Sequence, residues 1–397
     1  MEIGVERQPK ASGDTAARSD SHVFDLNPNE RRILSLLQKS GPMPGVEIAR
    51  RLELSAQSAS VMTRSLERAN VIVRGDPIRG KVGKPLTPFR LNAQGAFSIG
   101  LRIGRRSADI VLVNLDGLVL GHHRTHYSHP TPANIDAFAR ERTRELIRRL
   151  LPEQRHRVAG IGIGAPFEIW KWLDSSTAPK TDMDKWRGFD FQTAFADWTD
   201  LSVVVGNDAS LACQGEAMFG TGRGLADFGY FYVGSFVGGG VYLNGRLFTG
   251  PTGNAGAFGS FPVRDASGAW RQLLQYASIY QLEQTLEAQS KGLGRAIWGA
   301  ESWDRFDDIL TPWLNDLAMH LAHAALTVVA AFDVPKIVVD GSFPPPIRER
   351  MVAEIVEELA RSDHRGISLP DIVSGRLGAK AGALGAAYEP IIARLLA

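Results

Sequence analysis

Four histidines crowd into "HHRTHYSH": His122, His123, His126 and His129. Imidazoles at that density can ligate a transition metal if enough of them converge on one point. The segment alternates like a strand, which sends successive side chains to opposite faces, and no acid or cysteine lies among them, so no metal site is expected. Cys213, the single cysteine, excludes a disulfide framework and any multi-cysteine zinc site, and it sits mid-helix as a structural thiol. His320 and His323 share an apolar helix face and are expected to be packing or surface residues. A different chemistry is available in "FEIWKWLDSSTAPKTDMDKWRGFDF". Trp170, Trp172 and Trp186 are flat rings suited to the C–H faces of a carbohydrate, and equally suited to a core or dimer contact. Asp182 and Asp184 in that stretch read as solvated. Asp208 follows Gly206 and Asn207 at the end of an apolar strand and opens a helix, where it can cap that helix.

The chain that must position these groups has 397 residues, enough for two or three domains with cores of their own. Its 44% hydrophobic and 22% charged shares are those of ordinary globular proteins. No apolar run reaches the roughly 18 residues of a membrane span, and the N-terminus lacks a signal-peptide core. The expectation is a cytoplasmic protein with no membrane partner. The net charge of +2 hides an asymmetry: residues 29–98 hold 12 Lys and Arg against 5 Asp and Glu. One small basic segment of this kind faces a polyanion or is simply a solvated surface.

Residues 1–27 are polar and aperiodic and read as a disordered leader. Over 28–95, Ile33, Leu34, Leu36 and Leu37 recur at helical spacing up to Ser40-Gly41-Pro42. A short second helix fits Val46 to Leu52, and Ser55 is a good N-cap for a third. "VIVRG" and "PFRLN" then read as two strands of a wing. Three helices and a hairpin make a winged helix-turn-helix, whose third helix enters the major groove of DNA. Its leading positions are Gln57, Ser58 and Val61, with Ser60 and Arg64 placed for phosphates; Gln57 is the one strong base reader, suited to adenine. Arg79, Lys81 and Lys84 of the wing would meet phosphates or a narrow minor groove. A protein-interaction module is the competing reading of the same fold.

From Phe97 the chain reads as an α/β body with glycine turns at its strand ends and a ligand cleft. "FSIGLRIGRRSADIVLVNLDGLVLGHHRTHY" suggests a three-stranded meander, and "GIGIGAP", "VGNDASLACQGEAMFGTG", "GSFVGGGVYLNGRLFTGPTGNAG", "IVVDGS" and "GRLGAKAGALGAA" follow. In that order and spacing, behind a winged helix, these landmarks resemble the ROK family of repressors and sugar kinases. The resemblance implies a two-lobed actin-like ATPase fold, with lobe 1 over 96–204 completed by 381–397, and lobe 2 over 205–380 carrying a dimerisation surface. It also implies that Asp208 stands at the position of the kinases' catalytic base.

Departures from the family pattern argue against catalysis. The first phosphate turn, Asp-x-Gly-Gly-Thr in the family, is "RIGRR" here, and the second, Gly-Thr-Gly, is "GSF". "DGSFPPP" stands where the family has a glycine-rich turn on the adenosine side. Arginines and a phenyl ring would therefore occupy the nucleotide's space. The family's sugar- and zinc-binding Glu and His fall at Ala257 and Ser260, and its later Glu at Leu274 or Gln275, so the zinc ligands are lost. The expectation is a ligand-responsive DNA-binding regulator, most simply a repressor of carbohydrate or central carbon metabolism. It would have no cofactor and no metal. It would bind operator DNA as a homodimer or dimer of dimers and hold a sugar, sugar derivative or related metabolite on Asn207, Asp208, Gly256, Ala257, Ser260 and Trp186. A sugar kinase carrying a DNA-binding arm is the alternative.

Overall fold

The computed structural model describes residues 24–77, 86–171, 178–265, 267–298 and 300–397. At the N-terminal end, helix α1 (Pro28–Ser40) starts from a reciprocal cap. The Asn27 carboxamide oxygen accepts from the Glu30 amide at 3.0 Å, and the Glu30 carboxylate accepts from the Asn27 amide at 3.0 Å. Helices α2 (Gly45–Arg51) and α3 (Ala56–Arg68) follow, the latter capped by the Ser55 hydroxyl. The expected wing strands are β2 (Ile72–Arg74) and β3 (Pro88–Leu91), and a two-residue strand β1 (Met43–Pro44) joins them in the order β1-β3-β2. So short a strand leaves no periodicity to read. The residues 78–85 that link β2 to β3, with Arg79, Lys81 and Lys84, lie outside the described residues. Phe24, within the stretch expected to be a leader, is buried, with the Arg394 guanidinium 5.1 Å from its ring.

Lobe 1 is a sheet of β4 (Phe97–Ile103), β5 (Ser107–Asn114), β6 (Val119–His126), β7 (Val158–Ala165) and β8 (Val203–Asn207) in the order β6-β5-β4-β7-β8. The first three form the expected antiparallel meander, and β4, β7 and β8 run parallel. Strands β4 and β5 are buried on both faces instead of alternating. Helices α4 (Pro132–Arg148), α5 (Lys180–Asp184) and α6 (Phe191–Ala196) belong to this lobe. Helix α7 (Asp208–Phe219) then leads to lobe 2. There β9 (Phe228–Val233), β10 (Val237–Leu243) and β11 (Arg246–Phe248) precede a hairpin of β12 (Pro262–Arg264) and β13 (Trp270–Gln272). Next come helices α8 (Ile279–Gln289) and α9 (Asp307–Phe332), strand β14 (Lys336–Gly341), helix α10 (Pro345–Arg361), strand β15 (Asp371–Ser374) and helix α11 (Ala381–Leu395). The sheet order β11-β10-β9-β14-β15 repeats the layout of lobe 1. Among the described residues one helix, Asp304–Phe332, is by length and composition apolar enough to cross a membrane, but 56% of its apolar 18-residue window is buried where lobe 2 packs around α9.

Helices α7 and α11 cross between the lobes. Their contact is backbone on backbone: a Cβ on Gly385 would overlap the Leu211 carbonyl oxygen, and one on Gly162 of β7 would overlap the carbonyl of Ala386. The opposite end of α11 carries the N-terminal winged head. Ile33, Leu34 and Leu37 of α1 share one apolar core with Tyr388, Ile391 and Leu395, and Arg31 donates to the Ala393 carbonyl at 3.1 Å. Arg157 ties the end of α3 to lobe 1 by donating to the carbonyls of Ala69 and Gly95, each at 3.1 Å.

Two predictions follow from this packing. Gly385→Ala is expected to lower stability by about 1–3 kcal/mol, because backbone atoms cannot yield to the added methyl; urea denaturation measures it, and an unchanged midpoint would contradict the crossing. The second concerns pH. Burial, then the Glu216 carboxylate, push Asp340 up to about 7 against the pull of Arg348, whose Nε lies 3.1 Å from it. Burial alone pushes Glu389 up to about 7. Both groups bind their proton more tightly in the folded chain, so their stabilisation is complete below the ordinary carboxylate range and is lost as pH climbs through about 7. The melting temperature is expected to fall across that interval, and to fall less in Glu389→Gln.

Candidate functional site

Between the lobes lies a cavity of about 650 Å³, a size that suits a small ligand. Its floor is the junction of β8 with α7. The Asn207 carboxamide oxygen accepts from the amides of Ala209 and Ser210 at 3.0 and 3.1 Å, and its nitrogen donates to Asn254 at 3.3 Å. Asn207, not Asp208, is thus the helix cap, because the cap residue must stand one position outside the first helical turn. Asp208 faces the cleft beside Arg102 of β4, with Oδ2 3.9 Å from Nη2. Burial raises the Asp208 carboxyl above its usual range despite Arg102. The guanidinium stays firmly charged although burial opposes it, because Tyr232 and Asp208 adjoin it.

The two glycine turns meet across the cleft. From the β4–β5 turn, Arg105 and Arg106 converge on Glu283 of α8, at 3.6 and 2.5 Å. The Arg105 guanidinium lies 4.5 Å from the Tyr280 ring centre and 5.7 Å from that of Phe236, which comes from the β9–β10 turn. Burial and the like charge of Arg106 lower the Arg105 pKa. Arginine side chains and a phenyl ring therefore occupy the space between the turns.

Gly256, Ala257 and Ser260 line the cleft together with Asn207 and Asp208, and so do both Leu274 and Gln275. Trp186 does not, contrary to expectation: it is 4% exposed in the lobe 1 core, its Nε1 donates to the Pro130 carbonyl at 3.0 Å, and its ring meets Phe189 and Phe191. The turn after α5 folds it onto the sheet, where a large apolar ring is better buried than wet. Trp170 packs against the same core, and Trp172 lies outside the described residues. Sequence reasoning missed Glu168, Lys171, Tyr232, Gln272, Tyr280 and Gln281, which also line the cavity. Glu168 and Lys171 directly follow a buried strand, a position that could have flagged them.

The histidines disperse. His122 pairs with Asp109 at 2.8 Å, His123 with Glu145 at 3.1 Å and His129 with Asp182 at 3.2 Å. Acids do join them, then, but each comes from another element and serves one imidazole. Among the described residues no three His, Cys, Asp or Glu are grouped to hold a metal. Cys213 is fully buried and burial raises its thiol pKa. His320 is also buried, its ring stacked 4.6 Å from Tyr276.

On the head, Ala59, Thr63 and Leu66 turn α3 inward. Gln57, Ser60, Val61 and Arg64 are exposed, Val61 at 58%. Ser58 is half-buried and its hydroxyl accepts from Ser55 at 2.8 Å, so it serves the cap as well as the surface.

Comparison with known proteins places this geometry. The profile of the ROK family matches residues 98–389, and that of a winged helix-turn-helix DNA-binding domain matches residues 26–73. The chain is 21% identical to the xylose repressor of Bacillus spizizenii, over 61% of this chain and 62% of that protein. Among solved structures, a ROK family transcriptional regulator homologous to E. coli MLC aligns with TM-score 0.65 at 20% identity, over 91% of this chain and 95% of that one. A ROK glucokinase from Streptomyces griseus, in complex with glucose and AMPPNP, aligns with TM-score 0.59 at 23% identity, over 74% and 98%. These likenesses show the two-lobed actin-like ATPase fold behind a winged helix-turn-helix. With three quarters of its length under the family profile, the chain belongs to the ROK family.

Proposed function

We propose that the protein is a ligand-responsive transcriptional regulator, in the simplest case a repressor, that binds operator DNA through α3 and a sugar or related metabolite in the interlobe cleft. One observation carries this reading: α7 starts at the cleft with Asp208 and packs along α11, whose far end shares its core with the head. A ligand that favours one arrangement of the lobes would thereby bias the position of α3. A coupling of about 1–3 kcal/mol changes operator affinity roughly 5- to 150-fold. The similarity to a xylose repressor supports the ligand class, and the exposed face of α3 supports the DNA partner. A dimer reading two half-sites about one helical turn apart would supply the affinity that one head lacks.

The glucokinase-like fold and the presence of Asp208 keep a second reading open, phosphoryl transfer to a hexose. Against it stand Arg102, Arg105, Arg106 and Phe236 around the space between the two turns. Two measurements separate these readings. Arg64→Ala is expected to weaken operator binding at every sequence and to lower the salt slope by about one phosphate contact, whereas Gln57→Ala costs about 1–3 kcal/mol at one base pair. Unchanged binding in both variants would refute the docking of α3. ATP turnover over a hexose panel is expected to be nil, and turnover that vanishes in Asp208→Asn would establish the kinase.

A further inference from the structure

Arg102 stands in the cleft with its hydrogen-bonding capacity unused. Its side chain is 13% exposed, and it forms no hydrogen bond with any described residue. The contact with Asp208 is 3.9 Å long, and the Tyr232 ring centre is 5.3 Å away. A guanidinium carries five N–H donors in a planar fork, and at 13% exposure those of Arg102 stay open to a ligand that enters the cleft. The other acid that acts on it, Asp109, already takes His122 and Arg124, at 2.8 and 2.7 Å. Around this cation the cleft offers uncharged carboxamides from Asn254, Gln272, Gln275 and Gln281, which can both donate to and accept from hydroxyls.

A planar fork fits a carboxylate through two parallel hydrogen bonds. A phosphate ester would set about 1.5 to 2 negative charges beside Asp208, where a carboxylate sets one. We propose that the cleft selects sugar acids: a polyhydroxylated ligand whose carboxylate is held by Arg102 while its hydroxyls meet the carboxamides. The proposal rests on the effector-cleft reading and narrows it to one chemical class.

Calorimetric titration of the full chain with matched probes tests it: glucose, galactose and mannose, their uronates, and their 6-phosphates. At least one uronate is expected to bind roughly tenfold or more tightly than its parent aldose and its 6-phosphate. Arg102→Gln should abolish that advantage. If that variant does not fold, Asp208→Asn decides, since removing the opposing acid should tighten uronate binding and leave the aldose unchanged. An aldose or phosphate that binds as well as the uronate would overturn the acid class and leave the effector cleft standing. Silence from every probe would remove both.

Discussion

The close crossing of α7 and α11 is the contact on which the rest of the molecule depends. With glycine at 385, backbone meets backbone, and Gly162 lets the same helix lie on the lobe 1 sheet without a side chain between. Packing this tight has few alternative arrangements, so movement at one end of either helix is passed on rather than absorbed. The burial of α7 on nearly every side follows from its place between the lobes. So does the burial of β4 and β5 on both faces.

What the cleft can bind is set by the charges that this frame holds still. A nucleotide needs bare backbone amides for its phosphates. The turns here offer instead the Arg105 guanidinium against two aromatic rings, and a carboxylate clasped by two arginines. The same clasp joins the β4–β5 turn of lobe 1 to α8 of lobe 2, so it is an interlobe contact. Asp208 forms part of the wall of the cleft.

The head is not a bead on a string. Its core runs into that of the body through Leu37, Tyr388 and Ile391, and the Tyr388 hydroxyl donates to the Leu115 carbonyl at 2.9 Å. A shared core transmits displacement in a way that a flexible linker would not. The head and the body are therefore joined through one continuous apolar core.

Much of this was legible in the residues themselves. Helical spacing, the Ser55 cap and the basic balance of 29–98 sufficed for the head, and glycine clusters ending apolar strands sufficed for an α/β body, since both signals are local; its two lobes came from the family resemblance. Ala257, Ser260 and Asp208 could be placed at the cleft because the motifs around them resemble those of the ROK family. Trp186 could not, because the same tryptophan serves a core or a sugar, and only the turn after α5 decides which. Nor could the pairing of His122, His123 and His129 with acids distant in sequence, or the convergence of Arg105 and Arg106 on Glu283. Sequence by itself determined which elements form and which residue types stand at their ends. Which charges meet was left to the tertiary structure, because ion pairs and hydrogen bonds depend on separations of a few ångströms between segments that the chain order keeps far apart.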